Sequence, residues 1–126
     1  MEQVKANALT WVRAFFAAAD SLNVENLREF YTDDAVAQYG GHTSSRSRDN
    51  VLNMLKTIFG RLDQMKHEIG HTDVLTDRIY QYVHVTYKLK GDTQIKKLPG
   101  LVVLHKTPAE RKMRRFEVFV DSSLFL

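Results

Sequence analysis

The sequence predicts an α+β fold, in which a curved antiparallel sheet wraps around a long N-terminal helix and leaves an internal pocket between them. Two observations indicate this fold class. The first half of the chain repeats apolar residues at helical spacing, whereas the second half alternates them at strand spacing over four long segments. A length of 126 residues is that of one ordinary domain, so residues 1–126 are expected to fold as a single unit.

Three helices are predicted, and all lie in the first half. The longest covers residues 3–21, where apolar side chains recur every three or four positions. Asn23 is a suitable N-cap for a second helix over residues 24–31. A third helix runs from residue 48 or 49 to 59, and Gly60 follows as its stop.

The strands begin with a short one at 35–39, before the third helix. The second half then predicts an antiparallel meander of four strands, at 65–75, 79–90, 98–106 and 115–120. The strand at 98–106 is apolar on both faces, which is typical of a central strand covered on both sides. A curved sheet packed on a long helix encloses a hollow, and such a hollow is the natural ligand site.

The first strand of the meander carries two histidines. Strict alternation along it predicts that His67, Ile69, His71 and Asp73 share one face of the sheet. His67 and His71 are about 13 Å apart at the rise of a strand, too far for both to bind one ion. No grouping of carboxylates with histidines has ligand spacing, so we expect neither a metal nor another cofactor.

Composition limits the function classes. The chain is 44% hydrophobic and 26% charged, contains no cysteine and has no apolar run of membrane-spanning length, which disfavours disorder, disulfides, zinc–thiolate sites and a membrane protein. Its start does not resemble a secretory leader, and a cytoplasmic location is expected. The net charge of +3 and the basic run at 111–115 lack the interleaved aromatic residues of nucleic-acid-binding surfaces, so no nucleic-acid partner is expected.

Two stretches resemble a known superfamily. Residues 17–35, AAADSLNVENLREFYTDDA, are similar to the helix–helix–strand opening of nuclear transport factor two-like proteins. Residues 115–121, RFEVFVD, resemble their last strand, particularly in the SnoaL-like polyketide cyclases. The resemblance implies the cone-shaped fold for nearly the whole chain, but the fold hosts isomerases, dehydratases, epoxide hydrolases, cyclases and binding modules.

Two chemistries of this superfamily do not fit the residues. The tyrosine, aspartate base and second acid of ketosteroid isomerases correspond to Phe15, Tyr39 and Val102. The arginine and two aspartates of limonene epoxide hydrolases correspond to Gly100, Val102 and Val118. None of these residues can perform the corresponding role, so both mechanisms are excluded as written.

A partial match to scytalone dehydratase remains. That resemblance implies a histidine at His67, an aspartate ending the first helix at Asp20, and a tyrosine ending the first short strand at Tyr39. It fails where a tyrosine becomes Ala19, where a second histidine falls near position 87 or 88, and where a polar pair on the central strand becomes Gly100 and Val102. We expect a related set of acid, base and phenol, adapted to a more apolar substrate.

In this hypothesis His67 is the general acid and base, Asp20 orients its ring, and Tyr39 donates a hydrogen bond to an enolate oxygen. Asp121 is a further catalytic candidate, although alternation turns it away from the pocket. Each of these residues also has a structural interpretation: Asp20 as a helix cap, His67 as a satisfied strand histidine, Tyr39 as a core residue. The expected substrate-binding residues are Phe15, Val83, Tyr87, Val102, Leu104, Phe116 and Val118.

The expected outer face of the sheet is unusually apolar, since it carries Tyr80, Tyr82, Leu101, Val103 and Phe119. Members of the resembled fold often pair through this face, so a homodimer is expected. The leading hypothesis is a cofactor-independent enzyme that cyclises, dehydrates or isomerises a polyketide-like or other small hydrophobic metabolite. The alternatives are a non-catalytic module that binds a hydrophobic ligand and a dimerisation module of the same fold.

Overall fold

The computed structural model describes residues 2–121, which form an α+β fold with three helices and one six-stranded sheet. In chain order the elements are α1 (Glu2–Asp20), a 3₁₀ helix (Val24–Phe30), β1 (Tyr31–Tyr39), β2 (Ser45–Arg46), α2 (Arg48–Phe59), β3 (Leu62–Val74), β4 (Ile79–Leu89), β5 (Lys96–His105) and β6 (Met113–Phe119). The predicted fold class is therefore confirmed. None of the helices within residues 2–121 is long and apolar enough to cross a membrane.

The segment after α1 differs in detail from the prediction. The second helix is a 3₁₀ helix, and Asn23 caps it by accepting a hydrogen bond from the Glu25 backbone N–H. The strand predicted at 35–39 begins at Tyr31 and contains a register shift before Val36. The polar residues between these positions thus interrupt the pairing without ending the strand. Two residues of the predicted polar loop also pair with β1 and form β2.

The sheet has the strand order β2-β1-β6-β5-β4-β3. Strands β3 to β6 form the predicted antiparallel meander. The exception is β1, which lies parallel to β6, because the chain crosses from one edge of the sheet to the other through α2 and the meander. Strands β2 and β3 are the two edges, so the sheet is a curved, unclosed cone rather than a closed barrel.

The core lies between α1, α2 and the inner face of the sheet. Five buried residues form one stripe along α1, at the three- and four-residue spacing that defines a helical face: Ala8, Val12, Phe15, Phe16 and Ala19. The Phe15 ring lies 5.6 Å from that of Trp11, 5.5 Å from Phe30 and 5.4 Å from Phe116. This aromatic cluster attaches the middle of α1 to the sheet and leaves the end of the helix to reach β3.

Strand β3 contains a β-bulge. Ile69 pairs with Val83, but the next pair joins Thr72 to Gln81, so two residues of β3 oppose one residue of β4. The prediction that four alternate residues from position 67 share one face is therefore wrong beyond Ile69. Thr72 instead turns inward and is buried.

Buried polar groups stabilise this bulge. The Gln81 side-chain amide, fully buried, donates to the backbone carbonyls of Gly70, His71 and Tyr82 at 3.2, 3.2 and 2.7 Å. The Thr72 hydroxyl donates to the other end of the same amide. The bulge therefore has its carbonyls satisfied, and an alternating register would leave Gln81 without these partners.

The outer face of the sheet carries no covering element among the described residues. Tyr82 is 52% exposed and Phe119 is 48% exposed, and Leu101 between them on β5 is only half-buried. The expectation that β5 is covered on both sides is therefore wrong within this chain.

Candidate functional site

The end of α1 and the middle of β3 meet through one side-chain pair. The Asp20 carboxylate, at the last residue of the helix, contacts His67 twice: Oδ1 lies 2.6 Å from the ring Nδ1, and Oδ2 accepts the His67 backbone N–H at 2.9 Å. The side chains are 13% and 22% exposed for His67 and Asp20. Asp20 does not cap the helix; the Ser21 hydroxyl does, by donating to the Ala18 carbonyl.

This contact determines the proton positions on the ring. An ionised carboxylate only accepts hydrogen bonds, so the neutral imidazole carries its proton on Nδ1 and leaves Nε2 as a bare acceptor. No other group in the described part of the chain bonds Nε2. The Phe16 ring, with its centroid 4.7 Å from that of His67, packs on the imidazole and limits its rotation. The pair is thus oriented at one nitrogen and open at the other.

His67 lies in the wall of an interior cavity of about 60 Å³ between α1, α2 and the sheet. Of the predicted pocket residues, six line this cavity: Phe15, Tyr39, His67, Val102, Phe116 and Val118. Val85 and Val120, which strand alternation also turns towards the pocket, line it as well. Five further lining residues were not assigned to the site from the sequence: Ala19, Leu55, Ile58, Phe59 and Met65. Apart from the imidazole and the phenol the lining is apolar, which strengthens any electrostatic interaction made inside.

Three expected pocket residues do not line the cavity. Val83, Tyr87 and Leu104 are buried on the inner face, but they pack into the core instead of bordering empty space. The contribution of α2 was missed because its apolar stripe predicts only that the helix is buried, not against what. In the structure this stripe packs on the curved sheet, and its residues Leu55, Ile58 and Phe59 line the cavity.

The cavity is smaller than the sequence led us to expect. Ligand pockets usually measure about 300–1,000 Å³, whereas 60 Å³ admits a few waters or one small organic group. One cause is Gly100 on the inner face of β5. A Cβ at position 100 would lie 3.3 Å from Cβ of Val120. The Val120 side chain therefore occupies the space that a side chain at position 100 would otherwise need.

Tyr39 ends β1 and separates the cavity from the outside. It is half-buried, and with Ile58 it borders both the cavity and an outer cleft that includes His42, Ser45 and Arg61. Burial raises the pKa of Tyr39, so its hydroxyl stays protonated at any working pH and acts as a hydrogen-bond donor.

Asp121 lies just beyond β6 and is exposed. It does not line the cavity, in agreement with the alternation of the strand, so the geometry gives it no contact with a substrate held beside His67. Burial of its ring raises the pKa of the Tyr87 phenol, and the nearby carboxylate of Asp121 raises it further. Asp121 therefore lies at the end of the sheet near Tyr87, and neither residue lines the cavity.

The other histidines lie elsewhere. On the outer face, Nε2 of His105 contacts Oε1 of Glu117 at 2.6 Å. His71, turned outward by the bulge, has Nε2 at 2.8 Å from Oδ1 of Asp73. Within residues 2–121 no three histidine or acidic side chains are grouped closely enough to hold a metal ion.

The chain belongs to the SnoaL-like domain family, whose model matches residues 12–119. This span includes α1 from Val12 onward, both halves of the imidazole–carboxylate contact and the whole sheet. Its relatives are found in the nuclear transport factor two-like superfamily, as the two short stretches of sequence indicated. No curated protein matches the chain in sequence.

Solved structures share the fold at low sequence identity. A SnoaL-like polyketide cyclase from Jannaschia sp. CCS1 superposes with a TM-score of 0.80 at 12% identity, over 92% of this chain and 86% of that one. The epoxide hydrolase/cyclase-like enzyme of pyran ring formation in the polyether salinomycin gives 0.78 at 16% identity, over 92% of each chain. An LEH-like epoxide hydrolase from M. tuberculosis gives 0.76 at 13%, over 95% and 86%. Such identities establish the fold and not the reaction.

Proposed function

We propose that the protein is a cofactor-independent acid–base enzyme that cyclises, dehydrates or isomerises a polyketide-like or other hydrophobic metabolite. The observation that carries this proposal is the 2.6 Å contact between Asp20 and Nδ1 of His67, which leaves Nε2 bare in the wall of an apolar cavity. The membership of cyclases and epoxide hydrolases in the same fold supports an enzyme in general terms.

The chemistry begins with removal of a proton from carbon. Nε2 of His67 takes a proton from the carbon next to a substrate carbonyl, and the bonding electrons move to the carbonyl oxygen. Asp20 stabilises the imidazolium that forms, because its charge lies against Nδ1. Tyr39, which lines the same cavity, donates a hydrogen bond to the developing enolate oxygen.

The enolate then has three outcomes that need no further protein group. The imidazolium returns its proton to another carbon and completes an isomerisation. In a dehydration, it protonates a β-hydroxyl that leaves as water. In a cyclisation, the enolate carbon attacks a second carbonyl of the same molecule, and the imidazolium protonates the resulting alkoxide. Each outcome restores neutral His67.

The cavity volume restricts what enters. About 60 Å³ accommodates the reacting end of a substrate, a ketone carbon and its neighbours, but not a whole ring system. The rest of a larger substrate has to lie outside the cavity or displace Tyr39. Gly100 and Val102 on β5 supply no polar group, so all proton transfers fall to His67.

Proton exchange at carbon tests this function without knowledge of the natural substrate. The protein is incubated in D₂O with small ketones such as butanone and cyclopentanone, and loss of the α-proton signal is followed by NMR. We expect acceleration that disappears in His67→Gln and persists in His105→Gln, whose side chain has an equally short carboxylate contact on the outer face. Equal activity of wild type and His67→Gln would contradict the proposal, and absence of exchange in wild type would favour a non-catalytic binding module.

The homodimer is a separate part of the proposal. Tyr82 and Phe119 each expose about half of their surface on the outer face of the sheet, which supports pairing of two copies through this face. Light scattering measures the molecular mass directly. A mass of about 29 kDa, twice the 14.6 kDa of the chain, supports the dimer, and a mass near 14.6 kDa at micromolar concentration contradicts it.

A further inference from the structure

Outside the cavity, a groove runs along the surface between α1 and β3, and His67 also borders it. Its volume is about 560 Å³, within the usual range for small-molecule sites. From here it is called the α1–β3 groove. The imidazole thus stands between a small interior cavity and a much larger exterior groove.

The charges of the α1–β3 groove have one sign. Lys5 and Arg13 project into it from α1, two turns apart on one helix face. Neither makes an ion pair in the part of the chain that the structure describes, although most other arginines there do. No acidic residue lines the groove. The carboxylates of Asp73 and Asp20 contact His71 and His67. Glu2 precedes Lys5 by one turn on α1 and does not line the groove.

The floor of the groove between the two cations is apolar. Leu9, one turn from each of them on α1, and Ile69, the last residue before the bulge, supply it. A ligand that fits has an anionic end for Lys5 and Arg13 and a hydrocarbon or aromatic part for Leu9 and Ile69. The two residues that the bulge adds, Gly70 and His71, line the groove next to Ile69.

We infer that the α1–β3 groove binds a small organic carboxylate, held by Lys5 and Arg13 and packed on Leu9 and Ile69, with its far end directed to His67. This inference rests on the proposed function only for the role of His67; the binding itself does not depend on catalysis. It names the substrate class as an acid with an apolar body, most of which stays outside the small cavity.

Binding is tested by NMR titration of the ¹⁵N-labelled protein with benzoate, with its neutral isostere benzamide and with inorganic phosphate. We expect saturable shifts of the Ile69, Gly70 and His71 amides with benzoate, and binding of benzamide and phosphate weaker by about tenfold each, because one lacks the charge and the other the apolar part. Benzamide or phosphate binding as tightly as benzoate would overturn the inference, as would the absence of saturation.

Charge-removing variants locate the site. Arg13→Gln and Lys5→Gln are each expected to weaken benzoate binding by about fivefold, the usual effect of one surface charge. Lys66→Gln is the matched control, because Lys66 is exposed on the opposite face of β3 and its loss changes the net charge equally. An equal effect of Lys66→Gln would reduce the result to non-specific attraction and overturn the inference.

The two proposals fail separately. Benzoate binding without any α-proton exchange leaves the groove in place and removes the catalytic proposal. Exchange that depends on His67, without benzoate binding, removes the groove and retains the catalytic proposal.

Discussion

Among the imidazole–carboxylate pairs of the described residues, two match in distance and burial, one inside and one outside the cone. In the inner pair, His67 and Asp20 are 2.6 Å apart and 13% and 22% exposed. In the outer pair, His105 and Glu117 are also 2.6 Å apart and 16% and 23% exposed. Distance and burial therefore do not distinguish a candidate catalytic pair from a structural one.

The surroundings do distinguish them. The inner pair bonds through Nδ1 and leaves Nε2 without a carboxylate on a residue that lines both the cavity and the α1–β3 groove, whereas the outer pair uses Nε2 for its carboxylate. Glu117 also has the Arg115 guanidinium at 3.7 Å, so its charge is shared. Both carboxylate oxygens of Asp20 contact His67. The comparison shows that the free nitrogen and the apolar space beside it define the site.

The largest expected effect is on proton exchange at carbon. His67→Gln removes the group that moves the proton, and a general base usually contributes about 100-fold or more, so we expect at least that loss of exchange rate. His105→Gln should stay within about twofold of wild type, because His105 and Glu117 do not line the cavity. NMR in D₂O measures both rates. Similar losses in the two variants would mean that the inner pair has no special role.

Substitution of either carboxylate is expected to change the exchange rate less than substitution of His67. Asp20→Asn removes the charge that stabilises the imidazolium while its amide oxygen still accepts the His67 backbone N–H, so exchange should fall about tenfold and stability by about 1–2 kcal/mol. Glu117→Gln should change stability by no more than about 0.5 kcal/mol. Urea unfolding gives the free energies. A larger loss of stability in Glu117→Gln would reverse the assignment of the two pairs.

The sequence was sufficient for the fold class, the antiparallel meander and the face on which His67 lies. Alternation predicts the side-chain directions of β3 correctly up to Ile69 and incorrectly at His71. The bulge between them is stabilised by Gln81 on the next strand, and the periodicity of β3 alone contains no information about that contact. The parallel pairing of β1 with β6 could not be predicted either, because it joins segments far apart in the chain and local patterns do not report such contacts.

The size of the cavity was also beyond prediction from the sequence. It depends on the contact between Gly100 and Val120 across two strands, and on how α2 closes over the sheet. The same limits apply to Val83, Tyr87 and Leu104, whose inward direction was predicted but whose packing was not. Direction follows from strand geometry, whereas empty space follows from the packing of every neighbour at once.

Tyrosines sharpen the comparison at high pH. Burial raises the pKa of Tyr31 and Tyr39, so the folded protein keeps protons that the unfolded chain loses above about pH 10. Stability present below pH 10 is therefore lost as the pH rises further. Urea unfolding at increasing pH should show this decline, and either phenylalanine variant should make it shallower. A decline as steep in each variant as in the wild type would contradict the raised pKa of these phenols.

The smallest effects separate the two phenols. Tyr39→Phe removes the proposed donor to the enolate and should lower the exchange rate about fivefold, the effect of losing one ordinary hydrogen bond of about 1 kcal/mol. Tyr31→Phe removes a buried hydroxyl that has no partner within the described residues, so it should raise stability by about 1 kcal/mol and leave exchange unchanged. Exchange rates and unfolding free energies of the two variants are sufficient to check this. A drop in exchange for Tyr31→Phe would show that the donor had been misplaced.

The proton positions on the two rings test the central claim most directly. A long-range ¹H–¹⁵N correlation spectrum at alkaline pH reports which nitrogen of each neutral imidazole carries the proton. Because each carboxylate requires an N–H opposite it, the spectrum should show His67 protonated on Nδ1 and His105 protonated on Nε2. A His67 ring protonated on Nε2 would leave no bare nitrogen at the cavity, and the proposed base would not exist.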